Sequence, residues 1–180
     1  MNEKRLILSS SQLEVVMRRL AFEMQENHGN FEDSAIIGMQ PRGIELAQQL
    51  RNILIEITGN EHILYGELDS TFYRDDFRRS SKPLIPNTIS LDFVVENKKV
   101  ILIDDVLYTG RSVRSALNAL ADFGRPKRTE LLSLIDRRFN RELPIQPDYV
   151  GLEVDTRAND KVLVDLQGEH KVWIITQQNN

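Results

Sequence analysis

The stretch Val100-Ile-Leu-Ile-Asp-Asp-Val-Leu-Tyr-Thr-Gly-Arg-Ser-Val113 decides the expected fold of this chain. It begins with four apolar residues, continues through the adjacent carboxylates of Asp104 and Asp105, and reaches a turn at Thr109-Gly110. An apolar stripe at helical spacing follows and ends near Gly124; its members are Val113, Ala116, Leu117, Leu120 and Ala121. The stretch therefore predicts a strand over residues 100–103, a loop over 104–112 and then a helix.

The same alternation of apolar strands and helices is found along the rest of the chain. Ser11 and Glu14 have the spacing of a capping box for a first helix. Helices are predicted at 11–26 and 44–57, and further strands at 34–39, 63–73, 131–135, 149–154, 161–166 and 172–176. This order indicates an α/β fold with a doubly wound, mainly parallel sheet, which binds ligands outside the carboxyl ends of its strands.

The composition limits the class of protein. A chain of 180 residues, 41% hydrophobic and 28% charged, predicts a single domain over residues 1–180. The absence of cysteine excludes disulfides and thiolate sites. The sequence has no apolar segment of membrane-spanning or signal length, so we expect a cytoplasmic protein that does not bind membranes. Its net charge of −4 argues against binding nucleic acid mainly by bulk charge.

Two loops at predicted strand ends are suited to bind an anion. Residues 38–43 and 104–112 contain glycines and precede helices, whose N-termini attract negative charge. The first loop lacks the Lys-Ser/Thr of a Walker motif, and the chain has no Gly-x-Gly-x-x-Gly. Paired carboxylates beside such a loop fit a ligand with both a phosphate and sugar hydroxyls, although by themselves they also fit a solvated strand end next to a turn.

The opening stretch resembles the phosphoribosyl pyrophosphate signature of type I phosphoribosyltransferases. Two further segments, residues 66–76 and Asp136-Arg137 leading into Arg141-Glu-Leu-Pro-Ile145, resemble the pyrimidine-operon attenuator and uracil phosphoribosyltransferase family of bifunctional proteins. With Arg42-Gly43 and Asp148-Tyr-Val-Gly151, the resemblance covers nearly the whole chain. It implies the type I phosphoribosyltransferase fold, with a small hood and a mobile loop.

The resemblance also implies a reaction, in which uracil and phosphoribosyl pyrophosphate become UMP and pyrophosphate with Mg²⁺ that the substrate brings. Asp104 and Asp105 would hold the ribose hydroxyls and favour an oxocarbenium-like transition state, and Arg74 would act on the leaving pyrophosphate. Asp136 and Arg137 would lie near the base and the metal-bound pyrophosphate. Phosphoribosyl pyrophosphate would be bound by Gln40, Pro41, Arg42 and Gly43, and by Val106, Leu107, Tyr108, Thr109, Gly110, Arg111 and Ser112.

Three positions depart from the attenuator branch of the family. RNA contact there is associated with a threonine, a histidine and an arginine, and these places here are Pro41, Asn140 and Gln146. The departures favour the enzyme over the alternative of a UMP-sensing RNA-binding regulator, and RNA is expected to be at most a weak partner. A purine phosphoribosyltransferase is the other alternative, because the signature loop is common to the class. The expected partners are uracil, phosphoribosyl pyrophosphate, UMP and further copies of the chain in a dimer or tetramer.

Overall fold

The computed structural model describes residues 3–69, 91–157 and 159–176. In chain order its elements are β1 Glu3–Leu8, α1 Ser10–His28, β2 Ser34–Met39, α2 Gly43–Thr58, β3 Leu64–Leu68, β4 Lys99–Leu107, α3 Arg111–Ala121, β5 Arg128–Arg138, β6 Tyr149–Asp155, β7 Asp160–Asp165 and β8 Lys171–Thr176. The predicted mobile loop, with Arg74, lies outside the described residues. No helix within the described ranges is long and apolar enough to cross a bilayer.

The main sheet has the strand order β3-β2-β4-β5-β6, and every pairing in it is parallel. Its two faces are covered by different helices, because neighbouring residues of a strand point to opposite sides. Ile36, Ile101 and Leu132 share one buried cluster with α1 and α2. Ile37 and Leu102 belong to a second cluster with α3. Helices on both faces of a parallel sheet confirm the predicted doubly wound α/β fold.

A second, antiparallel sheet has the order β1-β8-β7, and we call it the hood. Its strands come from both ends of the chain, and the pairing of β1 with β8 joins those two ends in one sheet. Trp173 of β8 is nearly buried, and the ammonium group of Lys4 lies 3.8 Å from the centre of its ring. The sequence predicted β7 and β8, but it gave no signal for β1, whose residues 3–6 are exposed.

Three details of the sequence prediction are wrong. β4 continues to Leu107, so the carboxylates of Asp104 and Asp105 lie inside the strand and not in a loop. The strand is longer because β5 pairs with it as far as Leu107 and Asp136. The capping box of α1 is formed by Ser9 and Gln12, and not by Ser11 and Glu14, because the helix begins two residues before Gln12. Leu117 of the predicted apolar stripe is 40% exposed on α3.

Candidate functional site

The paired carboxylates lie in the carboxyl half of β4. Oδ1 of Asp104 accepts a hydrogen bond from the backbone N–H of Asp105 at 3.0 Å, and the Asp105 side chain is buried. Burial raises the pKa of both carboxyl groups, and the neighbouring charge of Asp105 raises that of Asp104 further. Oδ2 of Asp105 has no hydrogen-bond partner among the described residues. A buried acceptor without a donor costs free energy, so this oxygen is suited to a ligand hydroxyl or a cation.

The predicted pyrophosphate loop connects β2 to α2. The Gln40-Pro41 peptide bond is cis, and the backbone N–H of Gln40 donates to the carbonyl of Leu68. A Cβ atom on Gly43 would lie 2.1 Å from the carbonyl oxygen of Ile103, so only glycine lets the first turn of α2 approach β4 this closely. The loop therefore brings the N-terminus of α2 next to the paired carboxylates.

The two helices that follow the predicted ligand loops differ from α1 at their N-termini. Side chains of Ser9 and Gln12 cap α1. The N-cap residues of α2 and α3, Arg42 and Gly110, make no side-chain cap hydrogen bond, although the hydroxyl of Thr109 accepts one from the N–H of Arg111 at 3.4 Å. The first backbone N–H groups of a helix need acceptors, and an uncapped N-terminus can bind an anion instead. Because β2 and β4 are adjacent parallel strands, both uncapped ends lie at the same edge of the sheet.

The predicted 5-phosphate loop, residues 108–112, is held by the segment that follows β5. The carbonyl of Thr109 accepts hydrogen bonds from the backbone N–H groups of Glu142 and Leu143, at 3.0 and 3.2 Å. The guanidinium of Arg141 donates to the carbonyl of Tyr108 at 2.6 Å, and Arg111 forms an ion pair with Glu142. The Arg-Glu-Leu-Pro-Ile segment, known from the sequence only as a family resemblance, therefore supports the phosphate loop.

Asp136 and Arg137 lie near the end of β5 and differ in their surroundings. Asp136 forms an ion pair with Arg141, so its charge is already balanced. The guanidinium of Arg137 lies 3.8 Å from the centre of the Tyr108 ring, and its Nε donates to Oγ1 of Thr156 at 2.9 Å. Arg137 therefore contacts two different parts of the chain, the residue after β4 and the residue after β6. Asp136 is paired with Arg141 instead.

The remaining predicted site residues are divided between core and surface. Leu107 is buried in the cluster under α3, and Val106 packs against the other cluster. The side chain of Leu107 is therefore structural, whereas that of Val106 is only partly buried. Ser112 lies in the first turn of α3, and its side chain is only partly buried. Arg74 lies outside the described residues.

A cleft of about 400 Å³ separates the pyrophosphate loop from the hood. One wall carries Arg42, Glu45 and Asp105, and the other is formed by residues 163–167 at the end of β7. Burial raises the pKa of Glu45, and the negative charge of Asp165 raises it further. Backbone N–H groups of residues 167–169 lower the pKa of Asp165 itself. Sequence reasoning missed both carboxylates, because neither belongs to a motif.

The oxygen donors at this edge of the sheet are compatible with a substrate-borne Mg²⁺ ion. Carboxylates are the ligands that Mg²⁺ prefers, and it usually retains several waters and substrate phosphates. Within the described ranges, no group of three or more histidine, aspartate and glutamate side chains is arranged to hold a metal ion. Asp104 and Asp105, together with substrate oxygens, are the donors that fit such an ion best.

Comparisons with known proteins bear on the family of this chain. The family model for the phosphoribosyl transferase domain matches residues 6–167. The bifunctional protein PyrR of Desulfosudis oleivorans is 41% identical over 179 residues, which cover 98% of each chain. The bifunctional protein PyrR of Bacillus cereus is 43% identical over 169 residues, 93% of each chain.

Solved structures show the same fold at low sequence identity. The hypoxanthine phosphoribosyltransferase of Trypanosoma cruzi has a TM-score of 0.71 at 12% identity, over 97% of each chain. A hypoxanthine-guanine phosphoribosyltransferase of Bacillus anthracis also has a TM-score of 0.71, at 15% identity, over 98% of this chain and all of that one. At such identity the likeness concerns the fold alone.

Proposed function

This chain belongs to the phosphoribosyl transferase family, in its PyrR branch, and from that membership we propose that it is a uracil phosphoribosyltransferase. It joins uracil to phosphoribosyl pyrophosphate and releases pyrophosphate. The observation that carries the proposal is the buried Oδ2 of Asp105, which has no hydrogen-bond partner in the described part of the chain. It lies at the edge of the sheet where two uncapped helix N-termini can each receive a phosphate group.

The carboxylates of β4 stabilise the reacting sugar. Asp104 and Asp105, whose carboxyl pKa values are raised in the free protein, accept hydrogen bonds from the ribose hydroxyls and hold the ring in one orientation. As pyrophosphate leaves, positive charge develops at the anomeric carbon, and nearby negative charge lowers the barrier. The 5-phosphate binds to the backbone N–H groups of residues 108–112, supported by Glu142 and Leu143.

The leaving group is stabilised from the other side of the cleft. The pyrophosphate binds at the N-terminus of α2, beside the guanidinium of Arg42, which is 58% exposed. A Mg²⁺ ion brought by the substrate would offset part of the pyrophosphate charge. The same proposal assigns Arg74 to this leaving group, from the family resemblance alone.

An assay with each nucleobase in turn tests this function. Purified protein is mixed with phosphoribosyl pyrophosphate, Mg²⁺ and uracil, hypoxanthine or guanine, and nucleotide formation is measured. We expect UMP from uracil and no nucleotide from either purine. Formation of a purine nucleotide and none from uracil would favour the alternative of a purine phosphoribosyltransferase. Asp105→Asn serves as the control for contaminating activity.

A UMP-sensing, RNA-binding regulator of pyrimidine genes is a second candidate, alongside the enzyme. The relatives at 40–43% identity are all named bifunctional, and that name favours a regulatory role. The departures at Pro41, Asn140 and Gln146 favoured the enzyme instead. The amide of Asn140 donates to the carbonyls of Arg138 and Thr156, so it is engaged within the chain.

Binding to a pyrimidine leader RNA tests the second candidate. The leader and a scrambled RNA of equal length are titrated at physiological salt, with and without UMP. Binding that prefers the leader and responds to UMP supports the regulator. Equal, weak binding to both RNAs supports the enzyme alone.

The proposal also includes three properties of the whole protein. They are a single domain over residues 1–180, assembly into a dimer or tetramer, and a cytoplasmic location. Light scattering of the purified protein measures the assembly directly, and a mass equal to one chain of 20.8 kDa would contradict it.

A further inference from the structure

Arg137 is a buried cation that contacts an aromatic ring, a hydroxyl group and a backbone carbonyl. It is 6% exposed, and burial lowers the pKa of its guanidinium. Its contacts are the aromatic ring of Tyr108 at 3.8 Å, the hydroxyl of Thr156 at 2.9 Å and the carbonyl of Arg157 at 3.4 Å. The negative charge of Asp160 also acts on it. A planar guanidinium can stack on a ring and donate in its own plane at the same time, which a lysine cannot do.

These contacts join three separate parts of the chain. Arg137 belongs to β5 in the main sheet, and Tyr108 begins the 5-phosphate loop after β4. Thr156 and Arg157 lie between β6 and β7, where the chain leaves the main sheet and enters the hood. One side chain therefore links the phosphate loop to the entrance of the hood.

The link continues into the hood itself. Asp160, the first residue of β7, accepts a hydrogen bond from the backbone N–H of Arg157 at 2.7 Å. Its other oxygen accepts from the hydroxyl of Thr176 in β8, also at 2.7 Å. A displacement of the Tyr108 ring would thus be passed through Arg137 and Arg157 to both of these strands.

We propose that Arg137 is a positioning residue that ties the hood to the 5-phosphate loop, so that phosphate binding at the loop orders the hood over the cleft. Phosphate binding at residues 108–112 and the identity of the nucleobase that the hood covers rest on the proposed function. The contacts of Arg137 that make the tie do not, because they are present in the structure.

The matched pair Tyr108→Leu and Tyr108→Phe tests the tie without any turnover. Leucine removes the ring and phenylalanine keeps it. Amide hydrogen exchange is followed in β7 and β8 with and without ribose 5-phosphate, which has a phosphate but no base. We expect ribose 5-phosphate to slow exchange in the hood of wild type and Tyr108→Phe, and to have no such effect in Tyr108→Leu.

A second variant separates the tie from simple damage to the phosphate loop. Thr156→Val keeps the shape of the side chain but removes the acceptor for Arg137, and Thr156 lies in neither proposed ligand loop. We expect faster exchange in its hood and a KM for uracil raised about two- to tenfold, the range for the loss of one hydrogen bond. The KM for phosphoribosyl pyrophosphate stays within about twofold of wild type.

The two proposals fail in different ways. If wild type converts no nucleobase, the proposed function fails, and hydrogen exchange still decides whether the tie exists. Hood exchange that ignores ribose 5-phosphate in wild type overturns the tie, as does equal behaviour of Tyr108→Leu and Tyr108→Phe. A Thr156→Val variant with both KM values changed alike would also overturn it, because that pattern indicates general distortion.

Discussion

The guanidinium of Arg42 lies 3.9 Å from Oδ2 of Asp105, the buried oxygen that lacks a hydrogen-bond partner in the described part of the chain. Arg42 is 58% exposed, whereas the Asp105 side chain is 9% exposed. Water screens an exposed cation, so Arg42 offsets only part of the cost of burying the carboxylate, and the pKa of Asp105 stays raised. The free protein is thus left with a carboxylate that a ligand can stabilise.

The first prediction concerns catalysis by the two carboxylates. Asp104→Asn and Asp105→Asn should each lower kcat/KM by roughly thirty-fold or more, the usual loss for a charged hydrogen bond that strengthens in the transition state, about 2–4 kcal/mol. Steady-state assays with uracil measure the loss, and circular dichroism checks that the fold persists. Wild-type turnover in the double variant would remove these carboxylates from the mechanism.

The second prediction concerns stability and pH. The pKa of Asp104 is raised in the folded chain, so its ionised form destabilises folding. This destabilisation is absent below the ordinary aspartate pKa of about 4, and it grows as the pH rises from there toward the pKa of Asp104 in the folded chain. Asp104→Asn should therefore unfold at a higher temperature than wild type at pH 8, with the difference shrinking toward pH 4.

A matched variant controls for the hydrogen bond between Asp104 and the backbone of Asp105. Asparagine keeps an Oδ1 acceptor for that N–H, whereas Asp104→Ala removes it. We expect Asp104→Ala to gain less stability at pH 8 than Asp104→Asn. A melting temperature of Asp104→Asn that is no higher than wild type at pH 8 would show that the buried charge costs nothing.

The third prediction concerns the close approach of α2 to β4. In Gly43→Ala the new methyl group would meet the carbonyl oxygen of Ile103 at 2.1 Å, so the pyrophosphate loop must move. We expect a lower melting temperature and a KM for phosphoribosyl pyrophosphate raised about tenfold or more. Gly59→Ala, at a left-handed position with open space around it, is the control. It should lose stability without changing that KM; if both variants change it equally, the loop has no special role.

The sequence predicted the main sheet well because its signals are local. Four apolar residues before Asp104 and a helical stripe after Ser112 lie within one short stretch, and the βα unit they indicate was observed. β1 gave no signal, because an edge strand exposed over residues 3–6 needs no apolar alternation.

The contacts that support the site could not be predicted in the same way. Glu142 and Leu143 bind the carbonyl of Thr109 across more than 30 residues of sequence, and Thr156 binds Arg137 across 19. No periodicity or motif encodes such pairs, which depend on how the strands assemble. The family resemblance supplied the residue types, and only the fold supplied their partners.

The fourth prediction concerns Arg74, which the resemblance assigns to the leaving group. Arg74→Ala should lower turnover much more than it lowers the affinity for UMP, because UMP carries no pyrophosphate. Arg74→Lys keeps the charge and should recover part of the turnover. Turnover is measured by product formation and UMP affinity by calorimetry; equal losses in both would assign Arg74 a structural role.

The last prediction concerns Phe139, whose backbone has a φ of +66° and whose side chain is 84% exposed. A bulky residue pays about 1–2 kcal/mol for this left-handed conformation, and glycine does not. The matched pair Phe139→Gly and Phe139→Ala removes the ring in both cases but relieves the backbone only in the first. We expect Phe139→Gly to be the more stable variant by about 1 kcal/mol in urea unfolding, partly offset by its more flexible unfolded chain. Equal stability of the two variants would mean that the segment relaxes out of this conformation.

The same pair of Phe139 variants also bears on RNA. If the protein binds leader RNA, the exposed ring is available to stack on an unpaired base. Both variants should then bind that RNA more weakly than wild type, and by about the same factor.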